Sequence, residues 1–469
     1  MGCCTDPCGS PFIYWGIREQ LYMEMDMTTG RPLPEIAKFT LPLIVGNVFQ
    51  QLYNMADTII VGRVVGQGAL AAVGSTGTIM FLVSGLSSGL TTGFTVLTSQ
   101  SYGAGNMKRV KHSVSNAIIL SIILSVIVTL ISCLTMGPVL RIMNTPEDIY
   151  QDAYRYIMII CAGTICSVFY NLFAAQLRAV GNSQVPLFFL VFSAFLNVGL
   201  DLLLTAVIRM GTAGAALATI MAQGISAVLC IIYIYKKIPV LKPERTDWHL
   251  SRSDTMLQLR IAIPMGLQYG ITASGTMIMQ GAINMCGSTA VAAYTAACKL
   301  QSIFATIFLS VGQAMATYGG QNFGKGDLDR LKKGARETAI AVTGVAIIAG
   351  ILVLVLLKPS LHLFFSAGTD LTEIHSLART YLRMSVSCFP ALGYIYIYRS
   401  IMQGCNYAFL PTAGGGVELL ARLICAALAV RHHSYILAVA CDPAAWLAAG
   451  IFDLVGWLWV VKDIKRRFA

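Results

Sequence analysis

The 469-residue chain reads as an all-α integral membrane protein of twelve transmembrane helices, arranged as two six-helix lobes related by a parallel pseudo-two-fold repeat. Three observations predict this. Hydrophobic residues make up 56% of the chain and charged residues only 12%, about half the charged share of a soluble domain. The apolar residues fall into long runs, not the short alternating strands of an outer-membrane barrel. The second half of the chain repeats marks of the first.

Twelve apolar segments can be drawn, at about 36–61, 69–98, 113–136, 150–173, 185–207, 212–235, 258–282, 290–317, 337–357, 374–397, 410–430 and 435–461. Each is long enough, at 1.5 Å per residue, to cross about 30 Å of hydrocarbon. Lipid offers no partner to a backbone N–H or C=O, so each segment is predicted to be helical. The first is entered at Pro42 and ends near Gly62. The second carries Gly85, Gly89 and Gly93, one face of small residues on which another helix can pack closely. That packing is expected to be static and within the first lobe, with a rocking interface as the functional alternative.

The connections set the orientation. Eighteen Lys and Arg, among them Lys108, Arg109, Lys236, Lys237, Lys332 and Lys465, fall on one side. The other side holds mainly Arg63, Arg141, Arg209, Lys358 and Arg431. By the positive-inside rule both termini and the 236–257 loop are cytoplasmic. The same clustering between apolar runs explains the net charge of +11 without nucleic acid as a partner. Residues 1–35 form an N-terminal extension of mixed polarity, read as lying ahead of the working start, with Met23, Met25 and Met27 as later starts. Met1-Gly2-Cys3-Cys4 hints at acylation, but Asp6 stands where such a motif needs Ser or Thr. The 13 cysteines include no CxxC pair and read as buried free thiols. The domains expected are 36–235, the linking loop 236–257, and 258–469 with a short basic tail.

The repeat is specific because its marks keep register. Gln100-Ser-Tyr-Gly103-Ala-Gly105 after the second segment matches Gln321-Asn-Phe-Gly324-Lys-Gly326 after the eighth, 221 residues on. Pro42 matches Pro264, Gly66 matches Gly287, and Pro186 matches Pro411. Six helices per copy is an even number, so both copies enter from the same side and the repeat axis lies along the membrane normal. Two such lobes can rock around a central cavity. The Gln-x-x-Gly-x-Gly element is read as a turn where two helices end.

Carboxylates inside a bilayer are costly, by at least ~2.5 kcal/mol at a helix centre. Asp57, Asp201, Glu418 and Asp453 therefore need explanation. Asn197 and Asp201 are four apart and share a helix face. Counting from the segment ends at 1.5 Å per residue, Asp57, Asp201 and Thr219 lie ~7–10 Å inside the same boundary. Asp57, Asn197, Asp201 and Thr219 are thus the expected cation-coupling site. It would serve a proton shared between the carboxylates, or a sodium ion held by their oxygens with Asn and Thr. Glu418 and Arg422, also four apart, are expected to form a structural ion pair, and Asp453 to stabilise packing or face water. No cofactor and no structural metal are expected: zinc spacing, a nucleophile elbow and a phosphate-binding glycine loop are all missing.

These residues bring a family into view. The chain from Ile36 to Lys465 resembles a bacterial multidrug and toxic-compound extrusion (MATE) transporter. The resemblance rests on Pro42, Asn54-Met-Ala-Asp57-Thr-Ile-Ile-Val-Gly62, Gln100-Ser-Tyr-Gly103, Leu177-Arg178-Ala-Val-Gly181-Asn182 and Asn197-Val-Gly-Leu-Asp201. It extends to Gly214-Ala-Ala-Leu-Ala-Thr219, to Gln321 and Gly324, and to Asp442-Pro443-Ala-Ala-Trp446. It implies a bacterial inner-membrane antiporter, not an enzyme, that exports cationic or amphipathic organic compounds against protons or sodium. It also places the family's first-lobe cation site on positions 57, 197, 201 and 219. Some members carry essential carboxylates in the seventh and tenth helices. Here the seventh has none and the tenth has only Asp370 and Glu373 at its mouth, which favours the first lobe. Candidate substrate-cavity residues are Gln50, Tyr53, Asn54, Met279 and Tyr394. The chain is expected to work as a monomer. The alternative within the wider superfamily, a lipid-linked oligosaccharide flippase, calls for a strongly cationic cavity, and only Lys299, Arg399 and Arg422 are placed to supply one.

Overall fold

A computed structural model describes residues 25–143, 145–365 and 371–468. Twelve helical spans follow one another: α1 (Pro32–Ile60), α2 (Gln67–Gly103), α3 (Met107–Ile142), α4 (Glu147–Ala162 with Thr164–Ala179), α5 (Gln184–Asp201) and α6 (Thr212–Lys237). The second lobe repeats them as α7 (Arg252–Asn284), α8 (Ser288–Lys325), α9 (Leu328–Phe364), α10 (Thr372–Ser387 with Phe389–Gly404), α11 (Phe409–His432) and α12 (Tyr435–Val439 with Cys441–Phe468). Eight of these helices are long and apolar enough to cross a membrane, and α4 makes a ninth as a pair bent by 47°. In α1 and α7 polar side chains such as Asn47 and Gln258 bond to neighbouring helices instead of meeting lipid.

The structure refines the expected segments. α4 and α10 are each broken, at Gly163 and at Cys388, and their halves correspond residue for residue at an offset of 225. α1 and α5 each run on into a π-helical turn, Val61–Val65 and Leu202–Val207. The repeat is visible in fine detail. Pro42 and Pro264 both lie inside their helices. Gly105 and Gly326 both adopt positive φ, 71° and 81°. The residue after each caps the next helix: Asn106 accepts from the Arg109 N–H and Asp327 from the Arg330 N–H. A left-handed glycine followed by a short polar cap is an effective way to end one helix and start another. The Gln-x-x-Gly-x-Gly elements are therefore turns, as expected.

The lobes meet at the face that carries the basic loops. There the two copies of the repeat element touch across the pseudo-two-fold axis. A β-carbon on Gly103 would overlap the Gln321 carbonyl, and one on Gly324 would overlap the Gln100 carbonyl. Gln100 Nε2 donates to the Gly404 carbonyl at 2.6 Å, and Gln321 Nε2 donates to the Ala179 carbonyl at 3.0 Å. Each glutamine thus satisfies a carbonyl that ends the broken span of the opposite lobe. The small-residue face of α2 also crosses between lobes, against the expectation of packing within one: Gly85, Gly89 and Gly93 abut Tyr269, Met265 and Ala262 of α7. Toward the other face the lobes part. There α1 is exposed on two opposite sides, at the apolar stripe Leu52, Met55 and Ile59 and at the polar residues Gln50, Asn54 and Thr58.

The N-terminal extension is not all peripheral. Residues 1–24, including the acylation-like start, lie outside the described residues, but Met25–Gly30 is strapped across the closed face. Met25 N–H donates to the Gly181 carbonyl of the first lobe. Met27 N–H donates to Gln321 Oε1 at 3.0 Å, and the Met27 side chain is fully buried. Asn322, Lys325 and Arg330 of the second lobe bind the carbonyls of Met27, Thr28, Thr29 and Gly30.

Candidate functional site

The first helix ties the lobes to the site. Ile36, Phe39 and Leu43 in its inner half pack into the core of the second lobe. Asn47 Nδ2 donates to Ser310 Oγ of α8 at 2.9 Å. Two turns further on, the same helix turns its polar residues to the first lobe. The Tyr53 hydroxyl faces the Thr219 side chain. The carboxyl groups of Asp57 and Asp201 lie within hydrogen-bonding reach of each other.

The cluster draws on four helices. Asp201, Asn197 and Thr219 are buried and Asp57 is half-buried. Asn197 Nδ2 stands 3.5 Å from Thr219 Oγ1. Tyr156 of α4 adds a second phenol within electrostatic range of both carboxylates, and its hydroxyl rests on Met80 Sδ at 3.3 Å. Asp57 Oδ1, both Asp201 carboxylate oxygens and Asn197 Oδ1 are buried without a hydrogen-bond partner among the described residues. Two ionised carboxylates only accept, so neither can satisfy the other. A shared proton resolves this, as does a hard monovalent cation with Asn and Thr oxygens around it. The donor set fits such an ion.

The structure therefore brings together Asp57, Asn197, Asp201 and Thr219. Tyr53, expected to line the substrate cavity, belongs to this cluster. Gln50 and Asn54 are exposed on α1, where the lobes part. Two expected cavity residues do not lie there. Met279 is 1% exposed and packs inside the second-lobe core. Tyr394 points to the flank of that lobe, hydrogen-bonded to Thr343 at 2.8 Å. Residue type suggested these side chains but not the neighbour each one meets.

The second lobe carries a different polar centre. Glu418 and Arg422 pair at 2.8 Å, as expected, within a larger network. Arg422 also binds Asp442 at 3.0 Å, while Arg399 binds Asp453 at 3.2 Å and Glu418 at 3.4 Å. All five are buried. Asp453 is thus an ion-pair partner and not a water-facing residue. At the repeat offset of 225, Arg422 corresponds to Asn197 and Tyr381 to Tyr156. Tyr381 Oη lies 3.5 Å from Asp442 Oδ2. The two centres share these two positions but not their carboxylates: Asp201 corresponds to Ala426, and in the second lobe a guanidinium, fixed to the chain, stands among Glu418, Asp442 and Asp453.

Twelve helices in two pseudo-symmetric lobes, closed at one face and parted at the other around a polar cluster, define a polytopic membrane transporter. The family model described as MatE matches residues 42–203 and 264–428. The chain belongs to that family, the multidrug efflux transporters known as MATE. It is 28% identical over 380 residues to "Probable multidrug resistance protein YpnP" of Bacillus subtilis, covering 81% of this chain and 84% of that one. It is 24% identical over 354 residues to "Probable multidrug resistance protein NorM" of Thermotoga maritima, covering 73% and 74%. The solved structure described as "Crystal structure of MATE in complex with MaL6" superposes with a TM-score of 0.88 at 19% identity, over 94% of this chain and 99% of that one.

Proposed function

We propose that the protein is a cation-coupled antiporter that exports small cationic or amphipathic organic compounds by alternating access, trading each for a proton or a sodium ion at Asp57, Asn197, Asp201 and Thr219. One observation carries this reading: Asp57, which faces Asp201 of α5 across unpartnered carboxylate oxygens, sits on a helix whose other half is packed into the opposite lobe. Neutralising the pair lets α1 settle onto the first lobe. Ionising it repels Asp57 from Asp201 and shifts the helix that both lobes share. Ion binding and lobe position are thereby linked. One charge crossing about 150 mV supplies about 3.5 kcal/mol, enough for roughly a 300-fold gradient of a neutral substrate.

The loop charges orient the closed, basic face and both termini toward the cytoplasm of a bacterial inner membrane. The chain works as a monomer without cofactor or enzymatic step. A flippase for lipid-linked pyrophosphates is disfavoured, because Arg399 and Arg422 are held by three buried carboxylates and cannot serve a polyanion.

Inside-out vesicles given a fluorescent organic cation and an imposed pH or sodium gradient test the proposal. Wild type accumulates the dye with the gradient that drives it, which also identifies the ion. Asp57→Asn and Asp201→Asn abolish this. Wild-type accumulation by both variants would overturn the assignment.

A further inference from the structure

The flank of the second lobe holds a groove that the transport reading does not use. α9, α10 and α12 enclose about 560 Å³ near the basic face. On α9, Lys332, Arg336, Ile340 and Thr343 follow at helical spacing and line it. On α12, Leu454 and Leu458 line it, and Lys462 and Lys465 continue the same stripe beyond its mouth. Tyr394, Tyr398 and Trp457 form the floor.

Polarity divides along its length. The walls are apolar and open outward: Ile340 is 65% exposed and Leu458 55%. The Thr343 hydroxyl is satisfied by Tyr394, so the floor asks for no polar ligand. The mouth is cationic. Lys332 pairs with exposed Asp329 at 2.9 Å, whereas Arg336 and Lys462 have no ion-pair partner among the described residues. From Lys332 to Thr343 the wall descends ~16 Å at 1.5 Å per residue, from the level of lipid headgroups into that of acyl chains.

We infer that this groove binds an anionic phospholipid of the leaflet at the basic face. Its phosphodiester lies among Arg336, Lys462 and Lys332, and one acyl chain runs along Ile340, Leu454 and Leu458. The occupant follows from charge and shape. A cationic transport substrate is repelled by the rim, and a soluble anion gains nothing from the apolar wall. Basic pockets between transmembrane helices at this level suit anionic headgroups. The inference does not depend on how transport is coupled.

The test is native mass spectrometry of the delipidated full-length protein, titrated with phosphatidylglycerol or with phosphatidylcholine of the same acyl chains. Wild type is expected to retain one phosphatidylglycerol in preference to phosphatidylcholine. In Arg336→Gln/Lys462→Gln the preference is expected to fall by about 30-fold, which is about 2 kcal/mol for two basic residues. Ile340→Trp, which fills the wall and keeps both cations, is expected to reduce retention as well. Glycerol phosphate, a headgroup without chains, should not displace the lipid. Equal retention of the two lipids by wild type, an unchanged preference in the double variant, or displacement by glycerol phosphate would each overturn the assignment.

Discussion

Gly103 lies directly against the backbone carbonyl of Gln321, and Gly324 lies in the same way against that of Gln100, so the lobes close on one another through two glycines at equivalent positions. A side chain at either glycine has nowhere to go. Overpacking costs about 1–3 kcal/mol, so Gly103→Val should move the balance between closed and open basic faces by about 5- to 150-fold. Cys405, fully buried beside the Gly319 carbonyl, reports on that face. Its maleimide labelling is expected to accelerate in Gly103→Val while transport falls. Unchanged labelling with full transport would show that the clash is absorbed elsewhere.

The strap makes a separate prediction. Met27 N–H has Gln321 Oε1 as its acceptor. Gln321→Ala removes it and also frees the Ala179 carbonyl. Losing a bond worth about 1 kcal/mol speeds local opening by roughly fivefold. Hydrogen exchange of the peptide containing Met25–Thr28 should rise accordingly, with little change in peptides from the outer half of α2.

In the second lobe, removing one member of the buried network should cost far more than replacing a pair. Arg422→Ala leaves Asp442 without its cation and Glu418 with Arg399 alone, for a loss of about 3–5 kcal/mol. Arg422→Met combined with Asp442→Leu removes charges of both signs and should recover part of that loss. Thermal unfolding in detergent reads both. If the single variant unfolds like wild type, the network does not stabilise the lobe.

Thr219 stands beside both Tyr53 and Asn197. Thr219→Val keeps the shape and removes the hydroxyl. The concentration of coupling ion needed for half-maximal transport is expected to rise about 5- to 10-fold, the worth of a bond of about 1–1.5 kcal/mol. No change would exclude Thr219 from the ion's surroundings.

Much of this site was legible in sequence because depth is additive along a helix. Counting residues from segment ends placed Asp57, Asp201 and Thr219 at one level, and the helical period put Asn197 beside Asp201. Tyr156 was missed, since tyrosine is unremarkable in a membrane helix. Its counterpart Tyr381, 225 residues on, was the available signal. Rotation about the helix axis was not legible. Met279 and Tyr394 therefore went astray, and the glycine face of α2 was assigned to the wrong lobe. The ion network spans α10, α11 and α12, so only its intrahelical pair, Glu418 and Arg422, could be read from spacing. The break at Gly163 falls on a glycine, and the break at Cys388 is followed after Phe389 by Pro390, which has no N–H to give to the preceding turn.

Asn197 and Arg422 occupy one place in a duplicated plan, and they differ in a way that matters for traffic. A counter-charge fastened to the backbone by covalent bonds never leaves, so under the proposed coupling the half that owns Arg422 has nothing to exchange. Under that proposal one copy offers a place for mobile charge and the other is its rigid counterweight. Grafting the first half's polar residues onto the second would have to displace a residue on which that half's own integrity rests.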